Sequence, residues 1–292
     1  MTELLAFVGF VVQGLRISVP YALAALGGTL SERSGVVNLA LEGMLLCGAF
    51  AATLGAGVGG FVGGALAGSA GGLLVAALYA WAVLRARADQ IVAGVALNLL
   101  AVGVTRVLLK LIYHSASNSA PIPGLGSAGT AGFVVLAGIL ALVAHAWVAR
   151  TPGGLRLRAV GEQPEAADSL GVSVVRVRLS AVLASGVLAG LGGAWLALDN
   201  HGFVDRMTGG RGYIAIAAVI LGRWTPLGAA AACLIFGFAD AAQLALQTRL
   251  PGIPRELVQV LPYVVTLVAL AAGMGRGKAP RALGAPWKSR SG

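Results

Sequence analysis

The chain has 292 residues, 58% of them hydrophobic and only 11% charged, with a mean hydropathy of +0.86. A water-soluble domain devotes about a quarter of its residues to charge, so this composition excludes an ordinary soluble protein and predicts an all-α, polytopic integral membrane protein. The net charge of +10 would suggest nucleic acid in a soluble protein; here the basic residues gather in short loops and a tail without interleaved aromatics, so they read as topology signals, and lipid rather than nucleic acid is the expected surrounding.

A bilayer core about 30 Å thick is crossed by roughly 20 apolar residues in helix. In chain order, such stretches fall near 4–30, 36–54, 57–84, 90–112, 131–149, 177–198, 211–222, 227–247 and 257–275, with 211–222 notably short. The expectation is about eight spans, bounded by seven and ten. The N-terminus carries Glu3 and lacks both a basic first region and a small-residue cleavage site, so no removable signal peptide is expected.

In the first span boundary, SERSGVVN (31–38) reads as a break between helical segments. Ser31 and Ser34 are capping types, and Gly35 tolerates an unusual backbone. Unwound chain at membrane depth is permitted only where it lines a cavity or is buried in protein. Just beyond, Asn38 and Glu42 are four residues apart and would share a helix face. The second and third spans are rich in glycine: Gly55, Gly59 and Gly63 fall on one face, and Gly60, Gly64, Gly68 and Gly72 on another. In lipid, small residues let helix backbones approach closely, whereas a flexible linker would not be this apolar.

Polar residues inside apolar spans continue with Asn98, and with Asp240 accompanied by Gln243 and Gln247. An acid at mid-bilayer costs on the order of 2.5–3.5 kcal/mol, so such groups face a cavity or a partner. For Asn38, Glu42 and Asn98 two readings stand side by side: a border of the solute path, or interhelical hydrogen bonds. Asp240 leans to the structural reading, with Gln243 one turn away as its partner. The segment framed by Arg211 and Arg223, GRGYIAIAAVILG, is a faint counterpart of RSGVVNLALEGMLLCG, as internal repeats in transporters allow.

One stretch stands apart. LRLRAVGEQPEAADSLGVSV (155–174) holds three of the chain's 11 acids. Pro164 suits a first helical turn, Glu165 sits where the helix dipole favours an acid, and Gly171 is a natural stop. The helix would have about two turns, with Ala166, Ala167 and Leu170 as its apolar face. So short a helix is not stable alone in water, and it must dock.

Lysine and arginine set the orientation. Arg85 and Arg87 share one loop; Arg150, Arg156, Arg158, Arg176 and Arg178 flank the charged stretch; Arg276, Lys278, Arg281, Lys288 and Arg290 form an acid-free tail. Positive-inside puts these in the cytoplasm and places 113–130, 199–210 and 248–256 outside. Arg106 and Lys110 run against the rule, either snorkelling to the interface or lining a watery passage.

GEQPEAADSLGVSVVRVR (161–178) resembles the coupling loop of ABC importer permeases of the branched-chain amino acid, ribose and nucleoside group. SERSGVVNLALEGMLLCGAF (31–50), DQIVAGVALNLLAVGVT (89–105), TGGRGYIAIAAVILGRWTPLGA (208–229) and FGFADAAQ (236–243) match in order, so the resemblance covers nearly the whole chain. The ERSGVVN…LEGM and GRWTPLGA forms are most similar to the nucleoside and simple-sugar branch. The resemblance implies a type II-like permease domain over 1–275, a cytoplasmic coupling loop at 150–176 and a basic cytoplasmic tail at 276–292. It implies that Gly161, Glu162, Gln163, Pro164, Glu165, Ala166, Ala167 and Gly171 form the loop that fits an ATP-hydrolysing subunit. It further implies a second homologous permease, a lipoprotein that captures solute outside, and a place in the bacterial cytoplasmic membrane. Asn38, Glu42, Asn98 and Asp240 are the candidate solute-path residues.

Other signals carry no chemistry. GLGSAG (124–129) has glycine spacing without the strand and soluble βαβ unit that a dinucleotide site requires. No phosphate-binding G-x-x-x-x-G-K-[ST] loop exists, so no cofactor is expected and ATP would be bound by the partner subunit. His114, His145 and His201 lack metal-ligand spacing, Cys47 and Cys233 read as packed free thiols, and no nucleophile–base set stands out. An ion-coupled secondary transporter would need more membrane acids and would leave the docking loop unexplained. A membrane enzyme would need a convergent His/Asp or Cys/His set. Within the ABC reading, nucleosides lead, followed by simple sugars and then amino acids.

Overall fold

The computed structural model describes residues 2–249, 260, 264, 267, 268, 271 and 277–287. Most of the expected last span, 257–275, and the tail positions Arg276, Lys288 and Arg290 lie outside the described residues, as does most of the 248–256 loop. The described chain is helical: α1 (Thr2–Arg33), α2 (Leu41–Ala80), α3 (Gln90–Tyr113), α4 (Ser127–Arg150), α5 (Pro152–Glu162), α6 (Pro164–Ser169), α7 (Val174–Asp199), α8 (Arg211–Leu221) and α9 (Pro226–Arg249). A single bridge between Asn118 and Val204 is the only β-type pairing among the described residues.

Among the described residues six helical segments are long and apolar enough to cross a membrane, and α8 is too short. One of the six, 41–85, is folded back on itself. Gly59 and Gly60 leave the helical region, Gly60 with φ +56°, and Gly71 then lies against the Cys47 carbonyl, a Cβ on it falling 2.8 Å from that oxygen. In a straight helix these two residues would stand about 36 Å apart. The expected second and third spans are therefore the two arms of this hairpin. Gly59 and Gly60 make its turn rather than a packing face.

The other glycines of the two expected faces, Gly55, Gly63, Gly64, Gly68 and Gly72, do pack. A Cβ on Gly72 would sit 2.2 Å from the Gly186 carbonyl oxygen, one on Gly48 2.6 Å from Gly190, and one on Gly193 2.1 Å from the Leu45 oxygen. The α2 hairpin and α7 thus touch backbone to backbone, where dispersion and close approach replace the missing hydrophobic drive. This makes α7 the axis of the bundle: 67% of its most apolar window is buried, against 22% in α4. The outer helices present Leu99, Ile139 and Leu142, all exposed, as lipid would require.

Local signals start and stop the helices. Asp89 accepts from the Ile91 and Val92 N–H groups at 2.9 Å, capping α3. Thr151 caps α5 through Gly154 N–H at 3.1 Å, with Pro152 at its first turn. Between α1 and α2 the chain is non-helical from Ser34 to Ala40, with Gly35 at φ +93°. The expected break is there, but not the expected caps. Ser31 lies inside α1 and donates to the Val36 carbonyl, and Ser34 donates to the Ser31 carbonyl.

The two ends of the bundle are distinct. At one, 117–125 and 198–205 are tied by Ser119 N–H to Phe203 O at 2.9 Å and Ile122 N–H to His201 O at 3.0 Å. Here Arg106 makes a two-pronged pair with Asp205 at 2.6–3.0 Å, and Arg16 pairs with Asp199 at 2.6 Å. Arg106, contrary to the charge rule, is therefore neutralised by a neighbouring acid. At the other end Arg33, Gly161, Arg178 and the 281–285 segment converge.

Candidate functional site

Inside the bundle two helix N-termini meet. Left-handed backbone at Arg206, Gly209 and Gly210 turns the chain inward before α8, which exposes the N–H groups of its first turn. Glu42, in the first turn of α2, accepts Gly210 N–H at 2.8 Å with one carboxylate oxygen and Gly212 N–H at 2.7 Å with the other. An anion at a helix N-terminus is favoured by the unpaired N–H groups and the dipole. A Cβ on Gly212 would lie 2.4 Å from the Glu42 nitrogen, so only glycine lets α8 come this near.

Asn98 of α3 closes the same region. Its carbonyl oxygen accepts Gly43 N–H at 2.8 Å, and its amide donates to Leu39 O at 2.8 Å and to the Tyr213 hydroxyl at 3.0 Å. One side chain thereby satisfies the unwound segment, the start of α2 and the start of α8. Arg211, the first residue of α8, donates to the carbonyls of Met207 at 2.8 Å and Thr208 at 3.2 Å. Its guanidinium lies 6.0 Å from the centre of the Tyr21 ring. The Tyr21 hydroxyl donates to the Asp240 carboxylate.

Two of the four expected path residues, Glu42 and Asn98, thus meet at the N-terminus of α8, and Asp240 is linked to it through Tyr21, whose ring lies 6.0 Å from the Arg211 guanidinium. Asn38 does not join them. It precedes the first residue of α2, so it and Glu42 do not share a helix face. Its amide donates to the Ser185 hydroxyl of α7 at 2.7 Å in a fully buried position. Asp240 is held by Tyr21 of another helix rather than depending on Gln243. Sequence reasoning passed over Tyr21, Tyr213 and Ser185 and gave Arg211 no role. The paired glycines of TGGRG, ahead of a short apolar helix, were the one local signal of a close approach there.

The charged stretch forms α5 and α6 joined at Gln163, whose φ of −144° and ψ of 78° break the helix. Pro164 occupies the first turn of α6, and Gly171, with φ +80°, follows its end. Ala167 is buried against Val160 and Val174, whereas Ala166 is exposed and Leu170 is 84% exposed. The outward apolar face is therefore Ala166 with Leu170, and Ala167 anchors the helix. Gly161 sits in α5, where a Cβ would fall 2.0 Å from the Arg33 carbonyl oxygen. Glu162 lies 3.9 Å from Arg33.

Among the described residues no group of three or more His, Cys, Asp or Glu could hold a metal, and both cysteines are free. The arrangement offers polar groups at a half-helix terminus within an apolar body and, at one end, a short helix with Ala166 and Leu170 exposed. It suits binding and reorientation.

The family model for the branched-chain amino acid transport system / permease component matches residues 10–270. The chain is 39% identical to the guanosine ABC transporter permease protein NupQ of Bacillus subtilis, over 92% of this chain and 93% of that one. It is 38% identical to the nucleoside ABC transporter permease protein NupC of Lactococcus lactis, over 91% and 92% of the two chains. It is 35% identical to the putative glucose ABC transporter permease protein TsgC13 of Haloferax volcanii, over 89% of each. No solved structure matches. A multi-span helical body, a match over most of its length and permease relatives covered nearly end to end lead to one conclusion: the chain belongs to the branched-chain amino acid-type permease family and is a membrane-spanning permease subunit of an ABC transport system.

Proposed function

We propose that the chain moves nucleosides inward across the bacterial cytoplasmic membrane, driven by a separate ATPase that grips α6. The nucleoside assignment is supported by the two relatives of 39% and 38% identity, whose names specify guanosine and nucleosides. The observation that carries the mechanism is the Glu42 carboxylate bridging two N–H groups of α8. Half-helices that end at membrane depth border solute paths in transporters. A short helix held by a few side chains can tilt without unfolding the bundle.

In this reading Glu42, Asn98 and Asp240, joined by Tyr21, Arg211 and Tyr213, border the path, and Asn38 supports it through α7. The loop 150–176 is cytoplasmic, with Gly161, Glu162, Gln163, Pro164, Glu165, Ala166, Ala167 and Gly171 shaping the coupling element that presents Leu170. The body extends over 1–275 and the tail 276–292 is cytoplasmic. A lipoprotein outside delivers solute and a second homologous permease completes the passage. ATP binding shifts the inward–outward equilibrium because the ATPase binds the two states with different affinity.

A sugar importer is the second reading, favoured by the 35% identity to the putative glucose permease. Uptake of labelled guanosine by cells carrying the complete system, challenged with unlabelled nucleosides or glucose, separates the two. Competition by nucleosides alone supports the proposal. Competition by glucose alone overturns the solute assignment.

A further inference from the structure

The basic tail is more than a charge signal. Residues 280–287 run across the end of the bundle where Arg33, Gly161 and Arg178 converge and bind three elements. Ala282 N–H donates to the Gly161 carbonyl at 2.9 Å, at the end of α5, and Gly284 N–H donates to the Gly35 carbonyl at 3.1 Å, in the α1–α2 break. Trp287 packs with the Val160, Ala167 and Val174 cluster on which α6 rests. Arg178 of α7 locks the crossing: it is 1% exposed, its Nε donates to the Ser34 carbonyl at 3.2 Å, and its Nη1 donates to the Ala285 carbonyl at 2.9 Å.

Among the described residues the hydrogen-bond partners of Arg178 are carbonyls and it forms no ion pair, and a guanidinium so buried is costly to keep without a carboxylate to offset its lost hydration. Its second terminal nitrogen is buried with no hydrogen-bond partner among the described residues. A Cβ on Gly35 would stand 2.9 Å from that nitrogen. A leucine there would fill space at less expense, so the charge serves the joint.

We propose that the 280–287 segment is a strap transmitting movement of α6 to the unwound 34–40 segment, and that Arg178 is its positioning residue. The path is continuous in hydrogen bonds and packing. Trp287 rests on the α6 anchor, Gly284 holds Gly35, the break leads to Leu39 and Asn98, and Asn98 reaches Tyr213 at the start of α8. Neither the strap nor Arg178 touches solute in this scheme. The inference rests on the reading of α6 as the ATPase-docking helix.

The test uses the complete transporter in proteoliposomes, with Trp287→Ala, Arg178→Gln and Arg178→Lys, reading ATP hydrolysed per solute imported and ATPase subunit retained on purification. Trp287→Ala and Arg178→Gln are expected to retain the ATPase and its hydrolysis while uptake falls, raising ATP per solute about tenfold. Arg178→Lys recovers part of the loss by keeping a cation. Should Arg178→Gln not insert, Trp287→Ala at a half-buried position decides alone. Wild-type coupling in Trp287→Ala, or uptake and hydrolysis falling together with the assembled complex, overturns the strap. Leu170→Glu is run beside them: ATPase retained and coupled in that variant defeats the docking reading itself, whereas ATPase lost there with Trp287→Ala unaffected defeats only the strap.

Discussion

The Glu42 carboxylate and the Gly212 N–H, 170 residues apart in sequence, meet at 2.7 Å where α2 and α8 both begin. Because the second carboxylate oxygen takes Gly210 N–H, Glu42→Gln leaves one acceptor for two donors and removes the charge that the dipole favours. The substitution should destabilise the protein by about 1–3 kcal/mol and reduce uptake. Melting in detergent and initial uptake rate, measured on the same preparation, check both effects.

Asn98 and Asn38 separate path from packing. Asn98→Leu strands the Leu39 carbonyl and the Gly43 N–H, each costing about 1–3 kcal/mol when buried unpaired, and frees Tyr213 of α8. Transport per inserted molecule should fall. Asn38→Leu removes a bond to Ser185 within the fully buried α7 contact, so it should lower the amount of folded protein while leaving transport per molecule and solute preference near wild type. Quantified membrane protein and uptake on the same cells distinguish the two.

Much of this was legible in the sequence. Apolar length marked the helices, and Pro164 with Gly171 marked α6. The run ERSGVVN marked the α1–α2 break. Burial and pairing were less legible because they depend on distant chain. Asn38 and Glu42 have helical spacing, yet the helix starts between them at Leu41, so their side chains part. Asp240 has Gln243 one turn away, yet Tyr21 crosses from α1 to meet it. The tail reads as charge, while Ala282, Leu283 and Trp287 pack its apolar side onto the bundle.

Glycine positions differ sharply in tolerance. Gly72→Ala would drive a methyl to 2.2 Å from the Gly186 oxygen, a backbone atom that does not yield. Gly103 has nothing within 4 Å of a Cβ. Gly72→Ala should cost about 1–3 kcal/mol, and Gly103→Ala should leave the melting temperature unchanged in detergent.

Arg106 and Asp205 form an exposed two-pronged pair. Arg106→Glu should reduce the yield of folded protein by setting two acids together. Adding Asp205→Arg should restore it, and size-exclusion profiles of the single and double variants report the outcome.

The proposed coupling requires α6 to be a cytoplasmic grip for a foreign motor. Gln163→Cys, in a chain with Cys47 and Cys233 replaced by alanine, tests this with a membrane-impermeant thiol reagent. The account predicts no labelling in intact cells, labelling in inside-out vesicles, and protection there when the ATPase subunit is bound. Labelling from outside intact cells would contradict it.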